Sequence, residues 1–562
     1  MARTPLFRDL ARAARLALLS LNAEDSEADP RADAAKDAAK GPTRRDALRT
    51  IGAGAAAGML PLSFGGCSAE SDSGLQIAIV GAGAAGLHCA YRLQQAGVFA
   101  TVYEASSRVG GRALTARGLF PDGLFAELGG EFLDSEHTAT FALATELGLT
   151  IDDVSMDGPN LNETTFMVDG EKLEEDAVVA EFRPLAAAMA RAVALAEADD
   201  DAFAALDAQS ILAWLDAEPA ASEVIKKLIN AAYLSEYGLE TDEQSVFNLL
   251  YLIDYDEAEP LRIYGGSGDR YRIAGGTDGL TTALAERLDG QITMGYRLVA
   301  LARSGDGYAL DFDSGSGRKR TYADHVVLAL PFTMLRDVDI DADFSDAKNR
   351  VIAELGYATN AKLMLGFDGR PWRESPLRSS GAAITNSALQ RTWESSRGQR
   401  AASSIFTNYV GGVAGIAMGA GTPEERAEAA LPLIEDVFPG ITDSYRPMSA
   451  VRMNWPAHPF TRGSYSCYRP GQWSFFGLEG ERAGNVHFAG EHCSQDYRGR
   501  IEGAVETGAF AAREILADVG LVTGAIESLL GTRTLVPGAY VARGGTRLRK
   551  QQRRRWLREV GR

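Results

Sequence analysis

The chain has 562 residues, 46% of them hydrophobic and 24% charged, with a formal net charge of −19. That length and balance suit a soluble protein of two or more domains, and the acidity argues against general nucleic-acid binding. Four cysteines in so long a chain are too few for a disulfide framework.

Residues 1–42 pass from an Arg/Ala/Leu segment into an Asp/Ala/Lys-rich stretch and are predicted to be disordered. In residues 43–70, Arg44 and Arg45 precede a mildly apolar run, Ile51 to Phe64. The run is shorter than the roughly 20 residues a membrane span needs and is diluted with glycine. It resembles a twin-arginine export signal; a basic tail followed by a linker is the alternative. "FGGC", Phe64 to Cys67, resembles a lipoprotein cleavage box with phenylalanine where leucine is expected. Cys67 is then either lipidated, anchoring the chain to a membrane, or close to a simple cleavage site. The expected location is periplasmic, cell-surface or extracellular.

"LQIAIVGAGAAGLHCA" occupies residues 75–90. An apolar run breaks into glycines and resumes as an alanine-rich, helix-like segment. Gly81, Gly83 and Gly86, with Ala82 and Ala85 between them, form G-x-G-x-x-G, the spacing at which a dinucleotide pyrophosphate sits on a helix N-terminus. Gly81 permits the turn, Gly83 lets the backbone approach the phosphates, and Gly86 lets the helix pack on the strand. The following strand, in "FATVYEAS", ends at Glu104 and Ala105. An acid roughly 20 residues after the glycines is placed to bond a ribose 2′-hydroxyl and would repel a 2′-phosphate.

"SSRVGGRALT" opens the backbone again, and its Arg112 can reach a phosphate; "AELGGEFLD" adds Gly129 and Gly130. Residues 155–260 have helical periodicity. "ADHVVLALP" reads as a buried strand, "NVHFAGEH" as a last strand, and "RGRIEGAVETGAFAAREIL" as a final long helix. The basic end of residues 518–562 reads as a solvated tail. No metal-ligand spacing is visible among the 6 histidines, so no metal is expected, and no nucleophile signature occurs.

The two ends of the body, "IAIVGAGAAGL…VYEASSRVGGR" and "FAGEHCSQDYRGRIEGAVETG", resemble the flavin-dependent amine oxidases: monoamine, polyamine and L-amino-acid oxidases. The resemblance covers roughly residues 75–517. It implies an α/β fold: a doubly wound, Rossmann-like FAD-binding domain in three pieces (75–150, 296–335 and 466–517). Into it is inserted an α+β substrate domain (a helical 151–295, and 336–465). A homodimer is expected.

Carried over position by position, the resemblance implies that Gly81, Ala82, Gly83, Ala85 and Gly86 cradle the FAD pyrophosphate. Glu104 and Ala105 hold the adenosine ribose, and Arg112 meets phosphate or flavin-side groups. Gly129, Gly130 and Glu131 run beside the isoalloxazine. Val299 offers its backbone to adenine, Gly490 and Glu491 hold the ribityl or phosphate region, and the backbone at Ile501 faces the flavin N1 edge. Lys362 holds a water against flavin N5; a lysine at a solvated strand edge is the alternative. Tyr465 forms one aromatic wall, and Arg500 stands where the second ring is expected. Ser464 stands where monoamine oxidases carry the flavin-linked cysteine, so FAD is expected to be non-covalent. Trp455 lines the site or belongs to the core, and Tyr497 lies in a loop approaching the flavin.

The implied reaction oxidises a C–N bond to an imine, which water hydrolyses, while O2 is reduced to H2O2. The substrate is left open between an amine or diamine, slightly favoured, and an L-amino acid. Asp134 falls where some polyamine oxidases carry an acid for a distal ammonium, and Glu131 is a second candidate; both could be surface groups. Phe132 stands where venom-type amino-acid oxidases carry the carboxylate-binding arginine, whereas Arg500 could itself clamp a carboxylate. A flavin desaturase or isomerase, and a non-catalytic FAD-binding protein, are further alternatives.

Overall fold

The computed structural model describes residues 74–251, apart from 159 and 163, and residues 270–521. The N-terminal extension, the export signal with Cys67, residues 252–269 of the expected helical insertion and the basic tail beyond 521 lie outside the described residues. The elements that carry the site are, in chain order, β1 (Ile77–Val80), α1 (Ala84–Gln95), β2 (Thr101–Glu104), α2 (Glu223–Tyr237), β3 (Ile292–Met294) and β4 (His325–Leu328). They continue with β5 (Ala361–Asp368), β6 (Arg391–Glu394), β7 (Ser403–Val410), β8 (Tyr445–Asn454), β9 (Val486–Phe488) and α3 (Ile501–Asp518).

Five strands make a parallel sheet in the order β9-β4-β1-β2-β3. The chain winds outward from β1 through β2 to β3, then returns to lay β4 on the other side of β1. Ligands of open parallel sheets bind at such a reversal, beyond the carboxyl ends of the strands. β1 and β4 are buried along their whole length and read as unbroken apolar or mixed runs, as central parallel strands do. α1 and α3 cover one face; a Cβ on Gly508 of α3 would lie 2.3 Å from Ala85 O, so glycine sets their close approach. A four-stranded sheet covers the other face, its Leu298, Leu301, Leu310 and Phe312 sharing a core with Ala78, Val80, Val326 and Leu328.

The second sheet has seven strands, in the order β8-β5-β7-β6 followed by 383–385, 165–168 and 171–173. Helices between residues 175 and 250, α2 among them, build one core against it around Phe182, Trp214 and Phe247. The helical reading of residues 155–260 therefore needs one correction: Thr165–Val168 and Glu171–Leu173 are a β-hairpin at the edge of this sheet. Its two-residue loop is Asp169-Gly170, with φ of 54° and 82°. Both residues need positive φ, the requirement that Asp-Gly meets.

Candidate active site

One continuous cavity of about 510 Å³ runs from the carboxyl ends of β1 and β2 to the face of the seven-stranded sheet. At its first end, Gly81 has φ +108°, and a Cβ there would lie 2.5 Å from Ala329 O at the end of β4. Gly83, the N-cap of α1, has no atom within 4 Å of where its Cβ would stand, so its bare backbone faces open space. Gly86 lies outside the wall; its missing Cβ would strike Gly81 O at 2.0 Å, which makes it the packing glycine of the three. Glu104 lines the cavity and is pinned by two amides, Ala82 N–H donating to Oε2 and Ser106 N–H to Oε1, each at 2.8 Å. Ala82 itself is turned from the cavity; Ala85 and Ala105 line it.

Val299 does not line the cavity, and its neighbour Leu298 does. The register between this strand and residues 307–313 slips between Leu298 and Ala300, leaving Val299 as the extra residue of a bulge. A bulge re-aims side chains locally, which leaves Leu298 rather than Val299 in the wall.

In the middle of the cavity Arg112 donates to Glu491 Oε1 at 2.8 Å and to Ser464 O at 3.0 Å. Glu491 also accepts from the Ser466 and Gly499 amides and the Ser466 hydroxyl. Burial works to raise its pKa, but Arg112, His492 and these donors hold it down at about 2. Gly490 lines the cavity beside it with φ +142°. Gly129 and Gly130 line the cavity where side chains cannot fit: a Cβ on Gly129 would meet Arg112 O at 1.8 Å, and one on Gly130 would meet Ile501 Cδ1 at 2.7 Å. Ile501 opens α3, whose N-terminus therefore points at this stretch and favours negative charge there. Trp455 also lines the wall and donates through Nε1 to Leu128 O at 3.0 Å.

At the far end, strand register does the assembling. Lys362 of β5 is paired with Tyr409 of β7, and Tyr409 with Arg391 of β6. Residues directly opposite in neighbouring strands share a face, so the three stand in a row across the sheet, and all line the cavity. Trp393, two residues from Arg391, joins the same face. Lys362 is 6% exposed, so the solvated-edge alternative falls. Its Nζ donates to Glu127 O at 3.0 Å and Gly129 O at 2.9 Å and pairs with Glu131 Oε2 at 3.1 Å. Glu131 also receives Arg272 Nη2 at 3.3 Å and Trp393 Nε1 at 3.2 Å. It is the buried counter-charge that makes an interior lysine affordable.

Asp134 and Tyr497 do not line the cavity. Asp134 is buried against Arg500, whose Nη1 lies 3.2 Å from Oδ2, and beside His137. Tyr497 donates to Glu136 O and packs edge-on against His137. Arg500 lines the cavity as the N-cap of α3, so its guanidinium approaches the site already paired with an acid. Neighbouring residues in one loop can point into a site or behind it, and their spacing does not say which.

At this far end the wall also holds Glu236, Arg391, Trp393 and Tyr409, to which the sequence alone assigns no role. The Tyr465 and Tyr409 hydroxyls are 3.1 Å apart, and Tyr465 also donates to Glu236 O in the last turn of α2. Arg391 Nη1 stands 3.7 Å from Glu236 Oε2, with its guanidinium carbon 5.3 Å from the centre of the Trp393 ring. The alternation in "QRTWES" could have placed Arg391 and Trp393 on one strand face; nothing local pairs them with Tyr409 or Lys362.

Residues 84–516 match the family model described as flavin containing amine oxidoreductase. An L-amino-acid oxidase of Siganus canaliculatus is 27% identical over 74% of this chain and 80% of its own length. The flavin-dependent L-tryptophan oxidase RebO of Lentzea aerocolonigenes is 27% identical over 79% of this chain and 98% of its own. The solved structure of cyclohexylamine oxidase from Brevibacterium oxydans IH-35A superposes with a TM-score of 0.69 at 22% identity, covering 79% of this chain and 99% of that one. The cavity fits the flavin cofactor this family implies. Gly83 leaves open space at a helix N-terminus where a phosphate can sit, Glu104 is held in the wall at the end of the next strand, and Gly129 and Gly130 leave bare backbone for a flat ring.

Proposed function

The chain belongs to the family of flavin containing amine oxidoreductases and is an oxidoreductase; we propose that it is an FAD-dependent oxidase whose substrate carries both an amine and a carboxylate, that is, an amino acid. The C–N bond is oxidised to an imine, water releases the 2-oxo acid and ammonia, and O2 is reduced to H2O2. Non-covalent FAD is part of this proposal, supported by Ser464, whose hydroxyl is engaged with Asn360 Oδ1 at 2.7 Å. When bound, the flavin supplies the acceptor for the hydride equivalent.

The observation that carries the amino-acid reading is Arg391 in the wall, 12% exposed at its side chain and beside Tyr409 and Trp393. A guanidinium fork suits a carboxylate, and the Tyr409 hydroxyl next to it is held by donating to Tyr465, whose own proton goes to Glu236 O. Tyr465 and Trp393 give apolar walls that fix the substrate and exclude water. The two acids first considered for a distal ammonium are poorly placed for it: Asp134 lies behind Arg500, and Glu131 is shared among Lys362, Arg272 and Trp393. The slight preference for an amine or diamine is therefore reversed.

Glu236 supports a second reading. It lines the same wall 3.7 Å from Arg391, and a ligand with a distal ammonium could take it from the arginine. The deciding experiment is anaerobic flavin bleaching by a panel of L-amino acids, monoamines and diamines. Bleaching by amines alone removes the amino-acid reading; bleaching by none of them removes the oxidase.

We also infer, from Arg44, Arg45 and the run that follows them, that the chain leaves the cytoplasm folded and FAD-loaded by the twin-arginine route, with lipidation at Cys67 as a separable proposal, and that it works as a homodimer.

A further inference from the structure

Two histidines 162 residues apart meet where the parallel sheet packs under α3: His325, the first residue of β4, and His487 in β9. His325 Nδ1 and His487 Nε2 are 3.2 Å apart, and neither residue lines the cavity. Asp518, the last residue of α3, brings Oδ2 to 4.0 Å from His325 Nδ1. We propose that His325, His487 and Asp518 bind one divalent transition-metal ion of the zinc type, bracing the strand that delivers Gly490 and Glu491.

Three features carry this. First, two nitrogens bound to one tetrahedral zinc at about 2.0–2.1 Å each sit about 3.3 Å apart. The two ring nitrogens already stand at that separation, and all three ligand atoms lie within 4.8 Å of one another. Second, His487 Nδ1 is 2.6 Å from Glu514 Oε2. A carboxylate behind a histidine holds the proton on that nitrogen and turns the other lone pair to the metal; here the lone pair of Nε2 faces His325. Without metal, His325 Nδ1–H donates to that lone pair; metal binding takes the place of this proton, with His325 then protonated on Nε2. Third, acids gather here: Asp518, Glu514 and Asp324 surround the histidines, with the Arg482 guanidinium holding Asp518 Oδ2 at 2.6 Å. A carboxylate oxygen has a second lone pair, and Asp518 is 29% exposed at its side chain, leaving room for water as the fourth ligand. The histidines are at 5% and 0% exposure, so their ring positions are fixed by packing. Sequence spacing could not reveal the group, because its members come from two strands and a helix.

The mechanical consequence follows from the chain path. His487 is three residues before Gly490, and α3 begins at Ile501 beside the cavity. A metal joining β4, β9 and the end of α3 would tie both cavity-lining segments to the sheet.

The test uses the untagged, FAD-loaded full chain, stripped with chelator and then supplied with Zn(II) or Co(II). The expected results are about one tightly held equivalent per chain and the intense visible bands of tetrahedral Co(II), to the red of the flavin absorption. The temperature of flavin release should rise with added Zn(II), as linkage requires. His325→Gln and Asp518→Asn should keep their flavin and lose the bound equivalent and the thermal shift. Asp518→Asn removes only a charge from a part-exposed position, so it tests the site without emptying the core. The proposal is overturned if the unmutated chain retains no metal, if its Co(II) spectrum is octahedral, or if both variants bind as much as the parent.

Discussion

Arg112 and Glu491 close the cavity from opposite ends of the chain: 379 residues apart in sequence, they share a hydrogen-bonded ion pair of 2.8 Å. Glu491 has a folded pKa of about 2 against an ordinary 4.5. A depressed carboxylate contributes stability that is fully present above its unfolded pKa and is lost as pH falls through the folded one. The window is therefore pH 4.5 down to about 2, and the shift corresponds to something on the order of 3 kcal/mol. Thermal melts followed by flavin fluorescence should fall steeply across that window. Glu491→Gln should be less stable at neutral pH by a similar amount, because Arg112 is left facing a neutral amide, and should show a shallower acid limb. An unchanged acid limb in this variant would place the acid sensitivity elsewhere.

Gly81 and Gly83 separate folding from cofactor binding. Gly81→Ala forces a methyl to 2.5 Å from the Ala329 carbonyl at φ +108°, and should destabilise the chain by ~1–3 kcal/mol with or without flavin. Gly83→Ala meets no protein atom within 4 Å and has an ordinary φ of −80°. Its apoprotein should lose no more than about 1 kcal/mol of capping preference. Its flavin affinity should nevertheless drop roughly tenfold or more, because the methyl occupies the space a phosphate needs. Apoprotein melts and the flavin-to-protein absorbance ratio measure the two effects separately; equal flavin occupancy in Gly83→Ala and the parent would remove the phosphate from this glycine.

These positions were legible because their requirements are local. A positive φ, a missing Cβ and an acid at a strand end are written into a few adjacent residues, as at Gly81 and Glu104. The Asp169-Gly170 hairpin was legible by the same rule but lay among helix-like composition. Lys362 and Tyr465 could be assigned only through the family resemblance. Arg391 and Tyr409 depend on the register of three strands, which no short window contains. Val299 is taken out of the wall by a single bulge, and Asp134 stands outside it, paired with Arg500. Glu236 reaches the wall from a helix whose place is set by packing on Phe166 and Ile384, farther along the same face of the sheet.

Lys362→Met tests the role at the flavin edge that the family resemblance implies for this lysine, whose Nζ is engaged by Glu127 O, Gly129 O and Glu131 Oε2. The replacement is similar in length and removes the charge and three donors. Glu131 keeps Arg272 and Trp393 as partners, so the site should still fold and retain flavin. Reduction by substrate, reoxidation by oxygen, or both should slow on the order of 10²-fold, the usual cost of losing a positioned polar group near a transition state. Stopped-flow measurement resolves the two half-reactions. Rates within about twofold of the parent in both would leave Lys362 as structural support for Glu131.

Export is tested independently of the site. Arg44→Lys together with Arg45→Lys should leave the precursor in the cytoplasm, still holding FAD, as fractionation and immunoblotting would show. Undiminished export would remove the twin-arginine reading, and loss of membrane association in Cys67→Ser would separately support lipidation.

Arg391→Met addresses substrate choice, and the form of its kinetic change matters more than its size. A guanidinium that holds the carboxylate equally in the bound substrate and in the transition state affects KM while leaving kcat nearly unchanged. Hydrogen bonds to a charged group contribute roughly 1.5–3 kcal/mol, so KM for an amino acid should rise about 10- to 100-fold. Arg391→Lys should recover only part of this, because an ammonium lacks the fork. The substitution also leaves Glu236, 5% exposed, without this guanidinium. Monoamines and diamines should therefore bind better than in the parent, drawn by the carboxylate that has lost this guanidinium. A double variant, Arg391→Met with Glu236→Gln, should keep the loss toward amino acids and abolish the gain toward amines. If KM for amino acids is unmoved while amine oxidation is lost, Arg391 serves to position Glu236, and the substrate is an amine held by that acid.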